Sequence, residues 1–307
     1  MMAQRRRRLV QAVAGPRLGM GMGLVALAGA ALLAPQPAFA RPLRVMSLNE
    51  CADQLVMMLL PPAQIASVTW LSRDAETSQM WRTARRIPAN HGLGEDVVRD
   101  QPDLVVAGSY TTPATRSLLK SLHYRLLVLP PAESFDDIRR TTMQVADAVG
   151  EPARGRALIA HLDQTLKALA TDKGPPLRVA AWDSAGFSAT PGSLYDTILR
   201  AAGANNVAAS RTGLGASAPE VERLLALAPD VLVAGAPAFQ RPGRHGELAL
   251  HPLVRRYWSD RTVIAPLTAY TCGTPFSADA ALSLRQQMRT IATKARTRLP
   301  YRADWQR

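Results

Sequence analysis

Two stretches of this chain repeat each other, and that repeat limits the fold more than any other feature. Glu95-Asp-Val-Val-Arg-Asp-Gln-Pro-Asp-Leu-Val-Val-Ala-Gly108 aligns without a gap with Glu222-Arg-Leu-Leu-Ala-Leu-Ala-Pro-Asp-Val-Leu-Val-Ala-Gly235, 127 residues further on. Each copy reads as a short helix, a Pro-Asp turn and a strand ending in Ala-Gly. Pro102 and Pro229 stop the helix, because proline removes a backbone donor and restricts the residue before it. The apolar run after each Pro-Asp is continuous rather than alternating. That is the pattern of a parallel strand covered on both faces. A repeat at so long a period points to two similar lobes and not to a solenoid.

The segments around the repeat complete two α/β units. Leu43–Leu48 and Leu177–Trp182 read as opening strands of the two lobes. Gln64–Trp70 and Tyr124–Leu129 read as further strands of the first lobe, and Thr262–Leu267 as a late strand of the second. Asp53–Leu60, Ser193–Ala202 and Ala278–Lys294 read as helices. Strands alternating with helices imply parallel sheets. Between the lobes, Ser134-Phe-Asp-Asp137 resembles a capping box with Asp in place of Glu or Gln. It opens a helix that runs to about Val149, where Gly150 breaks it. Pro152 suits the first turn of the next helix. That helix would reach Ala170 and span about 28 Å, with Lys173-Gly174-Pro175-Pro176 beyond it. The expected organisation is a leader over 1–40, an N-terminal lobe over 41–132, a connector over 133–173 and a C-terminal lobe over 174–307. A long stiff connector implies lobes that move little against each other.

The leader is read from its own pattern. Arg5 to Arg8 form a basic block, Leu18 to Leu33 an apolar stretch of 16 residues, and Ala38-Phe39-Ala40 a small-residue cleavage site. These are the parts of a secretory signal peptide, cut after Ala40. The stretch falls short of the roughly 20 residues of a spanning helix. Loss of its five arginines lowers the net charge from +13 to +8. The remaining charge is scattered and aromatics are 5%, which excludes the clustered cations and stacking platforms of a nucleic-acid groove.

Only Cys51 and Cys272 are present. Two cysteines exclude a disulfide-rich scaffold and a four-thiolate zinc site. In an oxidising compartment two thiols often pair, but spacing along the chain does not show whether these do. No GxSxG elbow, Walker loop or GxGxxG after a strand appears. His91, His123, His161, His245 and His251 show no metal-ligand spacing, and His251-Pro252-Leu253 reads as a structural turn. The reading is therefore of a binding protein and not an enzyme. In open α/β sheets ligands sit beyond the carboxyl ends of the strands. The loops there offer Asn49, Glu50, Cys51, Trp70, Arg73 and Tyr110 in the first lobe. The second lobe offers Trp182, Phe187, Tyr270 and Cys272, with Ala236 after the repeat strand.

Arg44-Val-Met-Ser-Leu-Asn49, the paired Pro-Asp segments, the mid-chain helix and the late His251-Pro252-Leu253 together resemble the helical-backbone metal receptors. These are the periplasmic binding proteins for cobalamin, ferric siderophores and haem that serve ABC importers. The resemblance covers residues 43–294 and rests on the order of the motifs. It implies a periplasmic monomer with no resident cofactor. It implies capture of a metal chelate between two lobes, with a ferric siderophore or cobalamin ahead of haem, and delivery to a permease dimer; the alternative is a non-transport ligand sensor with the same fold. It also implies a docking glutamate on each lobe, seven residues before a proline, at Glu95 and Glu222. Most members lack a cysteine pair like Cys51 and Cys272. A disulfide bracing the lobes, a thiol pair touching the ligand or its metal, and two unpaired residues all stay open.

Overall fold

The computed structural model describes residues 43–172, 177–183, 186–187, 189–209, 221–235, 251–266, 268 and 270–300, with backbone alone for 182, 183, 186 and 187. The leader and its cleavage after Ala40, the 173–176 stop, Ala236, His245 and Leu267 lie outside these residues.

The first half of the chain gives β1 (Val45–Ser47), α1 (Glu50–Leu59), β2 (Ile65–Thr69), α2 (Trp81–Ala84), β3 (Ala89–Asn90), α3 (Gly94–Asp100), β4 (Leu104–Gly108), α4 (Pro113–Ser121) and β5 (Leu126–Leu129). Its strands form one parallel sheet in the order β3-β2-β1-β4-β5. Two long helices follow, α5 (Phe135–Val149) and α6 (Pro152–Thr171). The second half gives β6 (Leu177–Asp183), β7 (Gly186–Phe187), α7 (Leu194–Ala201), β8 (Ala204–Asn206), α8 (Val221–Leu227), β9 (Val231–Gly235), α9 (Pro252–Trp258), β10 (Thr262–Ala265) and α10 (Ser277–Lys294). Here β8, β6, β9 and β10 run parallel in that order, matching β2-β1-β4-β5. The short β7 pairs antiparallel with the far end of β6. The fold is thus two parallel-sheet α/β lobes.

The repeat holds at atomic detail. Both repeat strands are buried along their whole length. Asp103 accepts from the amide of Arg44 at 2.8 Å and donates its own amide back to the Arg44 carbonyl. Asp230 and Arg178 make the same pair of bonds, with the side-chain one at 3.1 Å. Each arginine also reaches the end of the short helix before the Pro-Asp turn. Arg44 Nη1 donates to the Asp100 carbonyl, and Arg178 Nη2 to that of Leu227. Gln101 and Ala228, again in matching places, both adopt positive φ, 45° and 47°. The Pro-Asp turn is therefore a lock that fastens the first strand of each lobe to the end of a helix. Leu43-Arg44-Val45 and Leu177-Arg178-Val179 are the sequence trace of its other half.

Helices α5 and α6 form the spine between the lobes. The capping box at Ser134 and Asp137 is present, with Asp137 N to Ser134 Oγ at 3.1 Å and Ser134 N to Asp137 Oδ2 at 3.0 Å. Gly150 turns the chain at φ 80°, a conformation open to glycine. Both helices belong to both cores. On α5, Ile138 packs in the second lobe and Val145, Ala146 and Val149 in the first. On α6, Leu158 packs against the first lobe and Leu162 and Leu169 in the second. The long connector α6 is thus doubled by an antiparallel partner, which stiffens the junction further than a lone helix would.

Several short elements carry too few residues for a readable period: β3, β7 and β8. The His251 segment is the start of a helix as well as a turn. His251 caps α9, with Nδ1 accepting from the amide of Leu253 at 3.2 Å. Among the described residues no helix is long and apolar enough to cross a membrane.

Candidate functional site

Because β1, β2 and β4 are parallel, the residues that follow them meet at one sheet edge. Asn49 follows β1, Trp70 follows β2, and Ser109 and Tyr110 follow β4. The second lobe presents the residues after β10 and the start of α7. Where the two edges approach lies a cavity of about 220 Å³. Asn49, Cys51, Ser109 and Tyr110 line it from the first lobe, and Ser193, Leu194, Thr271 and Gly273 from the second. Pro130, Pro131 and Ala132 of the crossing segment close its back.

Asn49 caps α1, its Oδ1 accepting from the amides of Cys51 at 3.1 Å and Ala52 at 3.3 Å. It serves the helix as well as the cavity wall. Tyr110 is 82% exposed at the rim, and Trp70 is 54% exposed on a 3-10 turn after β2. Tyr110 thus faces solvent at the cavity, while Trp70, on the same sheet edge, lines neither cavity. Cys51 and Cys272 form a disulfide across the lobes, with Cα atoms 5.0 Å apart. Cys272 is buried and Cys51 is half-buried at the cavity wall.

A second cavity, about 410 Å³, lies on the other side of the 270–273 segment. Tyr270 lines it and stacks on Tyr195, ring centroids 3.8 Å apart and planes within 2°. Gln79 of the first lobe reaches over this cavity and donates to the Thr268 carbonyl at 2.9 Å. Tyr270 thus belongs to a different compartment from Tyr110.

Two sequence candidates are turned to other uses. Arg73 Nη2 donates to the Ile87 carbonyl, and the residue lines neither cavity. It secures the 3-10 turn against the strand entry at β3. Glu50 is half-buried toward the 74–77 segment. Burial pushes its carboxyl up, a hydrogen bond with Thr77 draws it down, and the charge of Asp74 pushes it up again. The backbones of Trp182 and Phe187 pair at the end of β6 and in β7; their side chains lie outside what is described. Glu95 and Glu222 are both exposed in the first turn of α3 and α8.

Asp53 is not among the binding residues expected from sequence. It is fully buried on α1 and receives the amide and hydroxyl of Thr69 and the hydroxyl of Ser72. Desolvation pushes its carboxyl up to about 7, against the pull of those donors and of Ser47. It holds the turn that carries Trp70. An acid three residues into an apolar helix after the first strand was the available signal.

Residues 45–257 match the family model described as periplasmic binding protein. The chain belongs to the periplasmic binding protein family. This is a family of substrate-binding receptors and not of enzymes. Solved structures of this receptor fold are similar to the chain over most of its length. The periplasmic haem-binding protein RhuT from Roseiflexus sp. RS-1 is 21% identical, with 81% of this chain and 98% of that one covered at a TM-score of 0.65. The periplasmic vitamin B12-binding protein BtuF of Vibrio cholerae is 16% identical, covering 82% and 99% at 0.62. An ABC-type Fe3+-hydroxamate transport protein from Saccharomonospora viridis is 20% identical, covering 80% and 93% at 0.57. No curated protein sequence matches the chain.

Proposed function

We propose that this receptor captures a bulky metal chelate, a ferric siderophore or a cobalamin, between its lobes and delivers it to an ABC-type importer. The observation that carries the reading is an interlobe cavity with the exposed Tyr110 at its rim, on the sheet edge where the exposed Trp70 follows β2. Flat apolar faces suit a large planar or macrocyclic ligand, whose orientation a few polar groups then fix. A bare cation asks for a cluster of ligating side chains. Among the described residues no group of three His, Cys, Asp or Glu is placed to hold one.

The importer part rests on Glu95 and Glu222. They are matching, exposed carboxylates on two pseudo-symmetric lobes, suited to charge-assisted contacts with a two-fold partner. Export with cleavage after Ala40, a monomeric receptor and lobe boundaries near 132 and 173 belong to the same proposal. Native mass spectrometry and visible absorbance of the receptor recovered from its own periplasm test it. A co-purifying cobalamin or ferric chelate, each with its own spectrum, is the expected result. Recovery of a bare metal ion, or of an organic solute without metal, would overturn it.

Haem is the second reading, supported by the Tyr110 phenol at the cavity rim, an oxygen donor of the kind that ligates haem iron. A Soret band on adding haemin, lost in Tyr110→Phe, would favour it over the first.

A further inference from the structure

The cavity of about 410 Å³ beside the 270–273 segment is the larger of the two, and the chelate reading makes no use of it. Its size lies within the range of small-molecule sites. Its walls divide by chemistry. The stacked rings of Tyr195 and Tyr270 make a flat, rigid wall, with Ile198 and Leu284 beside them. Phe276 adds a third ring, which meets His161 edge-on with centroids 6.0 Å apart.

The polar wall comes mainly from one helix. Asp279, Ser283 and Gln287 stand four residues apart on α10 and so share one face of it. Among the described residues Asp279 is the only charged side chain in the lining. Helix α6 fixes its carboxylate. His161 Nε2 lies 3.0 and 2.8 Å from the two oxygens, and Thr165 Oγ1 donates to Oδ1 at 3.4 Å. A carboxylate offers about four acceptor sites, so two donors leave it room for a ligand. Gln79 and Gln287 donate through Nε2 to the Thr268 carbonyl and to Ser283 Oγ. Their side-chain oxygens accept no hydrogen bond from the described residues. The lining thus offers acceptors and one negative charge to a ligand that brings donors.

We propose that this cavity is a second ligand site, which takes a small primary ammonium carrying a flat apolar body. Asp279 receives the ammonium, whose three donors are shared between the carboxylate and the glutamine oxygens. The apolar body lies among the rings, and aromatic faces attract a cation held beside them. Anions are disfavoured, because Asp279 repels them and no described lysine, arginine or histidine lines the wall. The proposal goes beyond the chelate reading and does not depend on it.

The test uses phenethylamine as the probe and 3-phenylpropionate, a similar body with the opposite charge, as its control. Each is titrated into the exported protein near neutral pH and followed by calorimetry. Phenethylamine should bind with Kd below about 1 mM, and 3-phenylpropionate at least about tenfold more weakly. Asp279→Asn should weaken phenethylamine binding at least about tenfold. Asp279 also ties α10 to α6, so a second variant leaves that tie in place. Ser283→Leu, at an exposed position, adds apolar bulk to the cavity wall and should abolish binding. Circular dichroism shows that each variant keeps its fold. No binding of phenethylamine, equal affinity for the two probes, or unchanged affinity in either folded variant would overturn the proposal.

Discussion

Asp53 and Asp196 occupy matching places in the two lobes, yet their surroundings differ. Each lies on the helix that follows its lobe's first strand. Each receives a hydrogen bond from the last residue of the neighbouring strand, Thr69 of β2 or Asn206 of β8. Asp196 also holds Arg200, with Nε at 2.8 Å. Asp53 has hydroxyls and an amide on Oδ2, and its other oxygen is buried without a partner. The shared topology fixes where an acid ties helix to strand. The local residues decide whether its charge is compensated.

The largest consequence is a pH dependence that belongs to the first lobe. The folded value of Asp53, about 7, lies above its ordinary 3.8. The folded protein keeps a proton there that the unfolded chain releases. Stability should therefore fall as pH rises from about 4 to about 7, and level off above. The ceiling on this term is about 4 kcal/mol. Urea unfolding at pH 5 and pH 8 measures it. Asp53→Asn should flatten the profile, and an unchanged slope would show that another group is responsible.

The locks at Asp103 and Asp230 come next, and there the lobes should behave alike. Asp103→Ala and Asp230→Ala each remove a charge-assisted bond to a strand amide. Each should cost about 2 kcal/mol, seen as a lower urea midpoint. A loss confined to one lobe would break the equivalence drawn from the repeat.

A smaller effect should make the second lobe imitate the first. Arg200→Met leaves Asp196 buried without its cation. Arg200 is 63% exposed, so the ion pair is screened and the loss should be about 1 kcal/mol at pH 8. The least is expected from Gln101→Gly and Ala228→Gly. Both relieve a left-handed residue, and each should raise stability by about 0.5–1 kcal/mol.

The repeat was legible because a Pro-Asp turn, a fully buried strand and a short helix all leave local marks. The capping box at Ser134 and the break at Gly150 were legible for the same reason. The strands Ala89–Asn90, Gly186–Phe187 and Ala204–Asn206 were not, since two or three residues show no period. The candidate site was legible in placement but not in use. Parallel topology puts Asn49, Trp70 and Tyr110 at one edge, and that follows from strand order. That Arg73 bonds to the Ile87 carbonyl, or that Tyr270 stacks on Tyr195, depends on packing between segments far apart in the chain. The union of Cys51 with Cys272 bridges 221 residues, and no local pattern encodes it.

We propose that the edge between the lobes, with Tyr110 at its rim, binds a metal chelate. Titration of the purified receptor with a ferric trihydroxamate, a ferric tricatecholate and hydroxocobalamin, followed by calorimetry, tests it most directly. One of them should bind with Kd below about 10 µM, and Trp70→Ala/Tyr110→Ala should weaken that binding at least about tenfold, near 1.4 kcal/mol. No binding of any of the three, or equal affinity in the double variant, would contradict it.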